Sequence, residues 1–144
     1  DYIENNISAE RVTMNMVNAI LGRVHLASRI DLLNRELLQL VKDGVDYYNS
    51  LTYIKKKAYP YFPLGFAKYG DSIVVCGLKY LNKIYLAVWN LKGENKAIIP
   101  INEKVVSVKV GYPTQLETKY SFDDGKLTVH FNEITARLFE IELL

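Results

Sequence analysis

Two histidines and one cysteine offer the widest range of chemistry in this sequence, and each stands alone. His25 and His130 lie more than a hundred residues apart, and neither has a second ligand at the spacing of a metal site. Cys76 lies between Val75 and Gly77 in an apolar run, without a neighbour that would favour the reactive thiolate. There is no glycine-rich phosphate loop. We therefore expect no metal site, no cofactor and no cysteine nucleophile, and we place His130 on a sheet face.

The carboxylates are numerous but scattered. Acid–base hydrolysis needs two carboxyl groups on opposite sides of a bond, in a pocket that separates their pKa values. Asp43 and Asp46 fall on or near the exposed side of a predicted helix, and Asp123 and Asp124 fall in a predicted turn. We interpret them as surface residues and predict no catalytic residue in this chain.

Aromatic side chains are in conspicuous excess, with eleven Tyr, five Phe and one Trp. Six of them cluster near the middle of the chain: Tyr47, Tyr48, Tyr53, Tyr59, Tyr61 and Phe62. Their flat rings could stack on sugars. We favour the alternative in which they fill a joint between helix and sheet, with the rings buried and the hydroxyls in water. The neighbouring lysines 55–57 are interpreted as a solvated turn.

Composition limits the possible partners. The chain has 144 residues, and eighteen Lys and Arg against sixteen Asp and Glu leave a net charge of +2. So small a charge argues against nucleic acid and membrane partners. A single Cys excludes an internal disulfide. No apolar run approaches the roughly 18 residues of a membrane span, and no signal-peptide pattern is present. These features favour a soluble, cytoplasmic protein. The start at Asp1 is compatible with processing or with excision from a longer protein.

The first third of the chain has helical periodicity. Ser8 can cap a helix over residues 8–21. Residues 23–28 alternate in polarity and are read as a short strand, with a continued helix as the alternative. A second helix runs from Asp31 or Asn34 to about residue 51. Its Gly44 predicts close approach to another element, because glycine inside a helix is otherwise unfavourable.

The remainder has the period of β-strands. A connector over residues 52–66 contains Pro60 and Pro63, which interrupt regular structure. Seven strands are predicted beyond it: residues 72–79, 83–90, 96–101, 105–112, 117–122, 126–131 and 135–143. Their even spacing without intervening helices favours an antiparallel sandwich or barrel. The predicted fold is α+β, with a helical segment (1–54), a Pro/aromatic connector (55–70) and a β-sandwich (71–144).

Five short motifs follow one another along the chain. They are Gly-Arg-Val-His-Leu-Ala-Ser (22–28), Leu-Val-Lys-Asp-Gly-Val-Asp-Tyr-Tyr (40–48), Phe-Pro-Leu-Gly (62–65), Tyr-Leu-Ala-Val-Trp (85–89) and Ala-Arg-Leu-Phe-Glu-Ile (136–141). In this order they resemble glycoside hydrolase family 36 α-galactosidases. That family has stretches of the type Gly-Arg-Ile-His-Leu-Ser-Gly, Val-x-x-Gly-Val/Ile-x-x-Tyr, Trp-Pro-Leu-Gly and Tyr-Leu-Ala-Val-Trp, and a similar closing strand.

The resemblance implies the C-terminal portion of such an enzyme, namely the end of its (β/α)8 barrel and its C-terminal β-sandwich. Residues 8–21 would be the seventh barrel helix, 23–28 the eighth strand and 31–51 the eighth helix. Both catalytic aspartates of the family's retaining mechanism would lie before Asp1. The chain alone is therefore expected to be inactive and to pack on the catalytic barrel of its parent.

The same resemblance singles out a few residues for sugar binding. Active sites of such barrels lie at the carboxyl ends of the strands, which would place Ala27 and Ser28 nearest the pocket. His25 and Ser28 are the candidates for binding an α-galactoside in an intact barrel. Ala27-Ser28 stands where the family has Ser-Gly, so the correspondence at this point is incomplete.

Two other classes of function stay open. One is a stand-alone carbohydrate-binding module that uses the connector aromatics. The other is an interaction protein that associates through helices lacking a partner. A barrel strand without neighbours exposes hydrogen-bonding groups and apolar side chains, so we expect a homo-oligomer.

Overall fold

The computed structural model describes residues 7–27 and 29–144, in which a layer of helices covers one face of a two-sheet β-sandwich. The helices are α1 (Ala9–Ile20), α2 (Arg35–Ser50) and α3 (Thr52–Lys55), with a 3₁₀ turn at Ile30–Leu32. The strands are β1 (Tyr59–Tyr61), β2 (Ile73–Tyr80), β3 (Lys83–Asn90), β4 (Lys96–Pro100), β5 (Val105–Tyr112), β6 (Lys119–Asp123), β7 (Lys126–His130) and β8 (Thr135–Leu143).

Both long helices begin at side chains that cap them. The Ser8 hydroxyl accepts a hydrogen bond from the Arg11 backbone N–H, and the Asn34 side-chain oxygen accepts one from the Leu37 N–H. Such caps satisfy N–H groups that have no partner inside the helix. The predicted starts of both helices are confirmed, with Asn34 rather than Asp31 as the cap of α2.

The two helices pack closely where α2 carries a glycine. A Cβ added at Gly44 would lie 2.7 Å from Cε of Met16 on α1. Ordinary side chains would not fit without movement of Met16. The close approach predicted from Gly44 is confirmed.

The seven predicted strands form an antiparallel sandwich, as expected. The five-stranded sheet has the order β1-β2-β3-β8-β5, and the three-stranded sheet has the order β4-β7-β6. Successive side chains of β3 point to opposite faces of the sheet, so the strand contributes to two cores. Leu86 and Val88 face the smaller sheet, while Tyr85 and Ala87 face the helices. The middle layer is therefore covered on both sides, which explains why β3 and β8 are the most buried strands.

Two segments differ from expectation. Residues 23–27 form neither the expected strand nor a helix, because no strand among the described residues lies beside them to share hydrogen bonds. The connector, expected to interrupt regular structure, contains α3 and β1. β1 tolerates Pro60 because it is the edge strand of its sheet and needs fewer backbone donors.

The helical segment shares one core with the five-stranded sheet. The boundaries at 54/55 and 70/71 remain a prediction. Among the described residues, no helix is long and apolar enough to cross a membrane.

Candidate functional site

Of the two residues singled out for sugar binding, the structure describes His25, and their role in an intact barrel stays a prediction. His25 and Ala27 are exposed in the irregular segment that follows α1. Ser28 lies outside the described residues, so the structure gives no position for it. His130 ends β7 on the outer face of the three-stranded sheet.

Cys76 is half-buried within β2. Burial raises the pKa of its thiol, which keeps the sulfur protonated and poorly nucleophilic near neutral pH. The position agrees with an inert thiol.

The scattered aspartates are engaged in surface contacts. Asp46 forms an ion pair with Lys42 one turn earlier on α2. Asp43 accepts hydrogen bonds from Gln39 and from Gln115. None of these contacts places two carboxylates across a shared cavity, in agreement with their interpretation as surface residues.

A buried ion pair joins α1 to the sandwich, and sequence reasoning missed it. Glu10 in the first turn of α1 binds Arg137 of β8 through two parallel contacts, Nη1 to Oε2 at 2.6 Å and Nη2 to Oε1 at 2.7 Å. The guanidinium also donates to the hydroxyls of Thr118 and Thr135. We call these four residues the α1 clamp. Such bidentate contacts fix direction as well as distance.

The electrostatics of the α1 clamp favour the charged pair. Burial alone would raise the pKa of Glu10, but hydrogen bonds from Arg137 and Thr135 and the guanidinium charge outweigh it and lower the pKa below its ordinary value. One feature of the sequence indicated an ion pair. Arg137 interrupts the apolar strand 136–141, and a buried arginine needs a carboxylate partner. No sequence pattern identified Glu10 as that partner, 127 positions away.

A second polar contact holds α2 on the sheet. The Tyr47 hydroxyl donates to Oε1 of Glu140 at 2.8 Å, and Lys109 lies 2.9 Å from Oε2 of the same carboxylate. Burial, followed by the nearby Glu140 charge, raises the pKa of Tyr47 above its ordinary value. The phenol therefore stays neutral and acts as a hydrogen-bond donor.

A third contact fixes the edge strand β1. The Tyr61 hydroxyl donates to Oε2 of Glu103 at 2.7 Å, and Lys79 binds Oε1 at 2.9 Å. Burial would raise the pKa of Glu103, but hydrogen bonds from Lys79 and Tyr61 outweigh it and lower the pKa. Like the other two, this site has one carboxylate with a cation and a hydroxyl, which is an arrangement for holding elements together.

The connector aromatics divide into two groups. Tyr47, Tyr48 and Tyr61 are partly buried, as expected of rings that fill a joint. Tyr53, Tyr59 and Phe62 are exposed. Phe62 lies near the exposed Phe66, with ring centroids 4.8 Å apart and planes inclined by 50°. These two rings do not make a flat surface for a sugar.

The connection between α1 and α2, residues 21–34, leaves apolar side chains in solvent. Leu26 is 41% exposed and Leu32 is 60% exposed. No backbone–backbone hydrogen bond between described residues involves residues 23–27. We call this segment the helix connection. The unpaired backbone of residues 23–27 and the exposed Leu26 and Leu32 mark a surface that is not covered within the described chain.

No group of three or more His, Cys, Asp or Glu among the described residues is placed to hold a metal ion.

No protein-family model and no curated protein matches the chain. Among solved structures, the chain is similar to α-L-fucosidase isoenzyme 2 from Paenibacillus thiaminolyticus, with a TM-score of 0.32 and 10% sequence identity. The similarity covers 71% of this chain and 20% of that one, so the chain corresponds to a small part of its length.

Proposed function

We propose that this chain is a non-catalytic C-terminal part of an α-galactosidase-like glycoside hydrolase, which packs on the catalytic barrel of its parent and stabilises it. The parent would hydrolyse terminal α-galactosides with retention of configuration, and substrate would bind only in the intact enzyme. A cytoplasmic location belongs to the same proposal.

The helix connection is the observation that carries this proposal. It includes residues 22–28, which resemble a barrel strand, and it lies between two helices that are held on the sandwich. A barrel strand satisfies its backbone through neighbouring strands on both sides. The unpaired backbone of residues 23–27 and the exposed Leu26 and Leu32 are what such a strand leaves when those neighbours are absent.

The motifs at residues 85–89 and 136–141 support the same assignment through their positions in the core of the sandwich. Tyr85 to Trp89 lie in β3 and Ala136 to Ile141 in β8, and these strands pair directly, with Leu86 opposite Phe139. Both segments belong to the cores of the sandwich. Their likeness to the family therefore concerns packing, which fits a structural role.

A complementation assay tests the proposal. The purified chain is mixed with a family 36 α-galactosidase fragment that ends before the counterpart of Ser8, and hydrolysis of p-nitrophenyl α-galactoside is followed. We expect no turnover from the chain alone, and gain of soluble activity in the mixture. Turnover that tracks the purified chain alone would overturn the non-catalytic assignment.

A matched pair of variants locates the contact. Leu26→Asp with Leu32→Asp should abolish the gain, because it places charge in the surface that would be buried. Leu81→Asp should not, since Leu81 is more exposed than either leucine but lies in the β2–β3 turn. Equal loss in both variants would contradict docking through the helix connection.

The exposed connector aromatics favour a second candidate, a carbohydrate-binding module. Tyr59 and Phe66 are each 78% exposed. If the exposed aromatics bind sugar, Tyr59→Ala should weaken retention of the chain on an immobilised α-galactoside, while Leu81→Asp should leave it unchanged. Absence of retention of the unmodified chain would dismiss this candidate.

A further inference from the structure

The outer face of the three-stranded sheet carries a row of three basic residues. Lys96 on β4 and Lys119 on β6 are both register partners of His130 on β7. Directly paired residues project from the same face, with Cβ atoms about 4.5–5.5 Å apart. All three side chains are exposed. We call these residues the cationic row.

The next row along the same face adds hydroxyl groups. Thr128 pairs with Ser121, and both lie two residues from the cationic row on their strands. Alternation returns their side chains to the outer face, about 6.5–7 Å further along the strands. Neither hydroxyl donates to another described residue. The two rows together offer two ammonium groups, one imidazole and two hydroxyls on the same face of the sheet, beside the apolar Ile98 that also pairs with Thr128.

The cations of this row lack carboxylate partners among the described residues. Lys96 and Lys119 lie on the two strands that flank β7, and neither has a carboxylate oxygen of a described residue within the 4 Å of an ion pair. Glu117 and Glu133 line a small cleft of about 80 Å³ beside Lys119 and His130, but neither forms such a pair. Elsewhere on this face, Lys126 has the acidic Asp123 as its register partner.

We propose that the cationic row, with Ser121 and Thr128, binds a tetrahedral oxyanion of the kind carried by sulfate and phosphate esters. Two lysines on opposite sides of His130 place positive charge on both sides of one small anion. The hydroxyls can donate to its remaining oxygens. This site lies on the outer face of the three-stranded sheet, which packs on the larger sheet opposite the helices. The proposal does not depend on the proposed glycosidase role.

The test is a titration followed by NMR of the backbone amides at constant ionic strength. The probes are glucose 6-sulfate and glucose 6-phosphate, with glucose and sodium chloride as controls. We expect saturable shifts confined to β4, β6 and β7 with at least one ester and none with glucose. Saturation by only one ester would identify the bound group as sulfate or as phosphate. Saturation by the sulfate ester and saturation by the phosphate ester each support the site. Linear shifts that also appear with chloride would overturn it.

Matched variants test the assignment to these residues. Each of Lys96→Gln and Lys119→Gln should weaken binding about two- to fivefold, the range expected for one exposed charge contact, and the double variant should weaken it further. Lys126→Gln, on the same face but opposite Asp123, should bind as the unmodified chain does. All three positions are exposed, so folding should persist, and circular dichroism checks it. Undiminished binding by the double variant would contradict the proposal.

Discussion

Arg137 has only 5% of its side chain exposed, and Glu10 holds it through both carboxylate oxygens. Removing one partner of a buried pair leaves a charge without compensation, which typically costs about 3–5 kcal/mol. We expect Glu10→Ala to lower the free energy of unfolding by about that amount in urea titrations. Asp46→Ala, which removes an exposed ion pair from α2, is the control and should change it little. Similar effects of both variants would show that the α1 clamp adds nothing specific.

The same carboxylate should make stability depend on pH. The pKa of Glu10 is lowered in the folded chain, whereas an unfolded glutamate has a pKa of about 4.3. The pair therefore stabilises the fold fully above that value, and this contribution is lost as the pH falls through the lowered folded pKa. Urea midpoints measured from pH 7 to pH 3 should fall below about pH 5. Glu10→Gln should lose less on acidification than the unmodified chain, and an identical slope would refute the assignment.

Thr13 is the opposite case, a buried polar atom without a partner. Its hydroxyl lies in the helix-facing core and makes no hydrogen bond with the described residues. Replacing it with a methyl of similar shape removes the cost of burying an unpaired group, about 1–3 kcal/mol. Thr13→Val should therefore raise the free energy of unfolding, while Thr13→Ala should lower it through lost packing. A destabilised Thr13→Val would mean that the hydroxyl has an unrecognised partner.

At the scale of elements, local signals predicted most of the fold. Cap residues such as Ser8 and Asn34 fixed the helix starts, and alternation located seven strands. The short β1 escaped prediction because three residues carry too little periodicity and Pro60 argues against a strand. The strand expected at residues 23–28 failed for the converse reason, since its local pattern is sufficient but pairing depends on neighbours. The α1 clamp was not predicted from the sequence either, because Glu10 and Arg137 are brought together only by the tertiary fold.

The contact between α1 and α2 offers a prediction at this scale. Because a Cβ at Gly44 would lie 2.7 Å from Met16 Cε and 3.2 Å from its Cγ, a larger side chain must force the helices apart. Gly44→Leu should cost about 1–3 kcal/mol, as overpacking generally does. Adding Met16→Ala should recover part of this lost stability, because the smaller alanine leaves room for the leucine side chain at position 44. Thermal unfolding of the single and double variants measures the effect, and strictly additive losses would contradict direct packing between these positions.

At the scale of the whole molecule, apolar burial is uneven. The two cores are well covered, with Ile84, Leu86 and Phe139 fully buried in one of them. The helix connection instead leaves Leu26 and Leu32 in water, without the strand pairing that would shield its backbone. If this surface belongs against a catalytic barrel, the isolated chain has no such partner, and burial against a second copy is the remaining way to remove it from water.

We therefore expect the isolated chain to associate. Sedimentation velocity should show a dimer or larger species whose fraction rises with concentration, because each association buries apolar surface. Leu26→Asp with Leu32→Asp should shift the chain to monomer, since both charges would have to be buried. Leu81→Asp, in the β2–β3 turn, should leave association intact. A monomer at every concentration would contradict self-association, whereas association that both variants preserve would assign it to another surface, with the edge strand β5 the next to test.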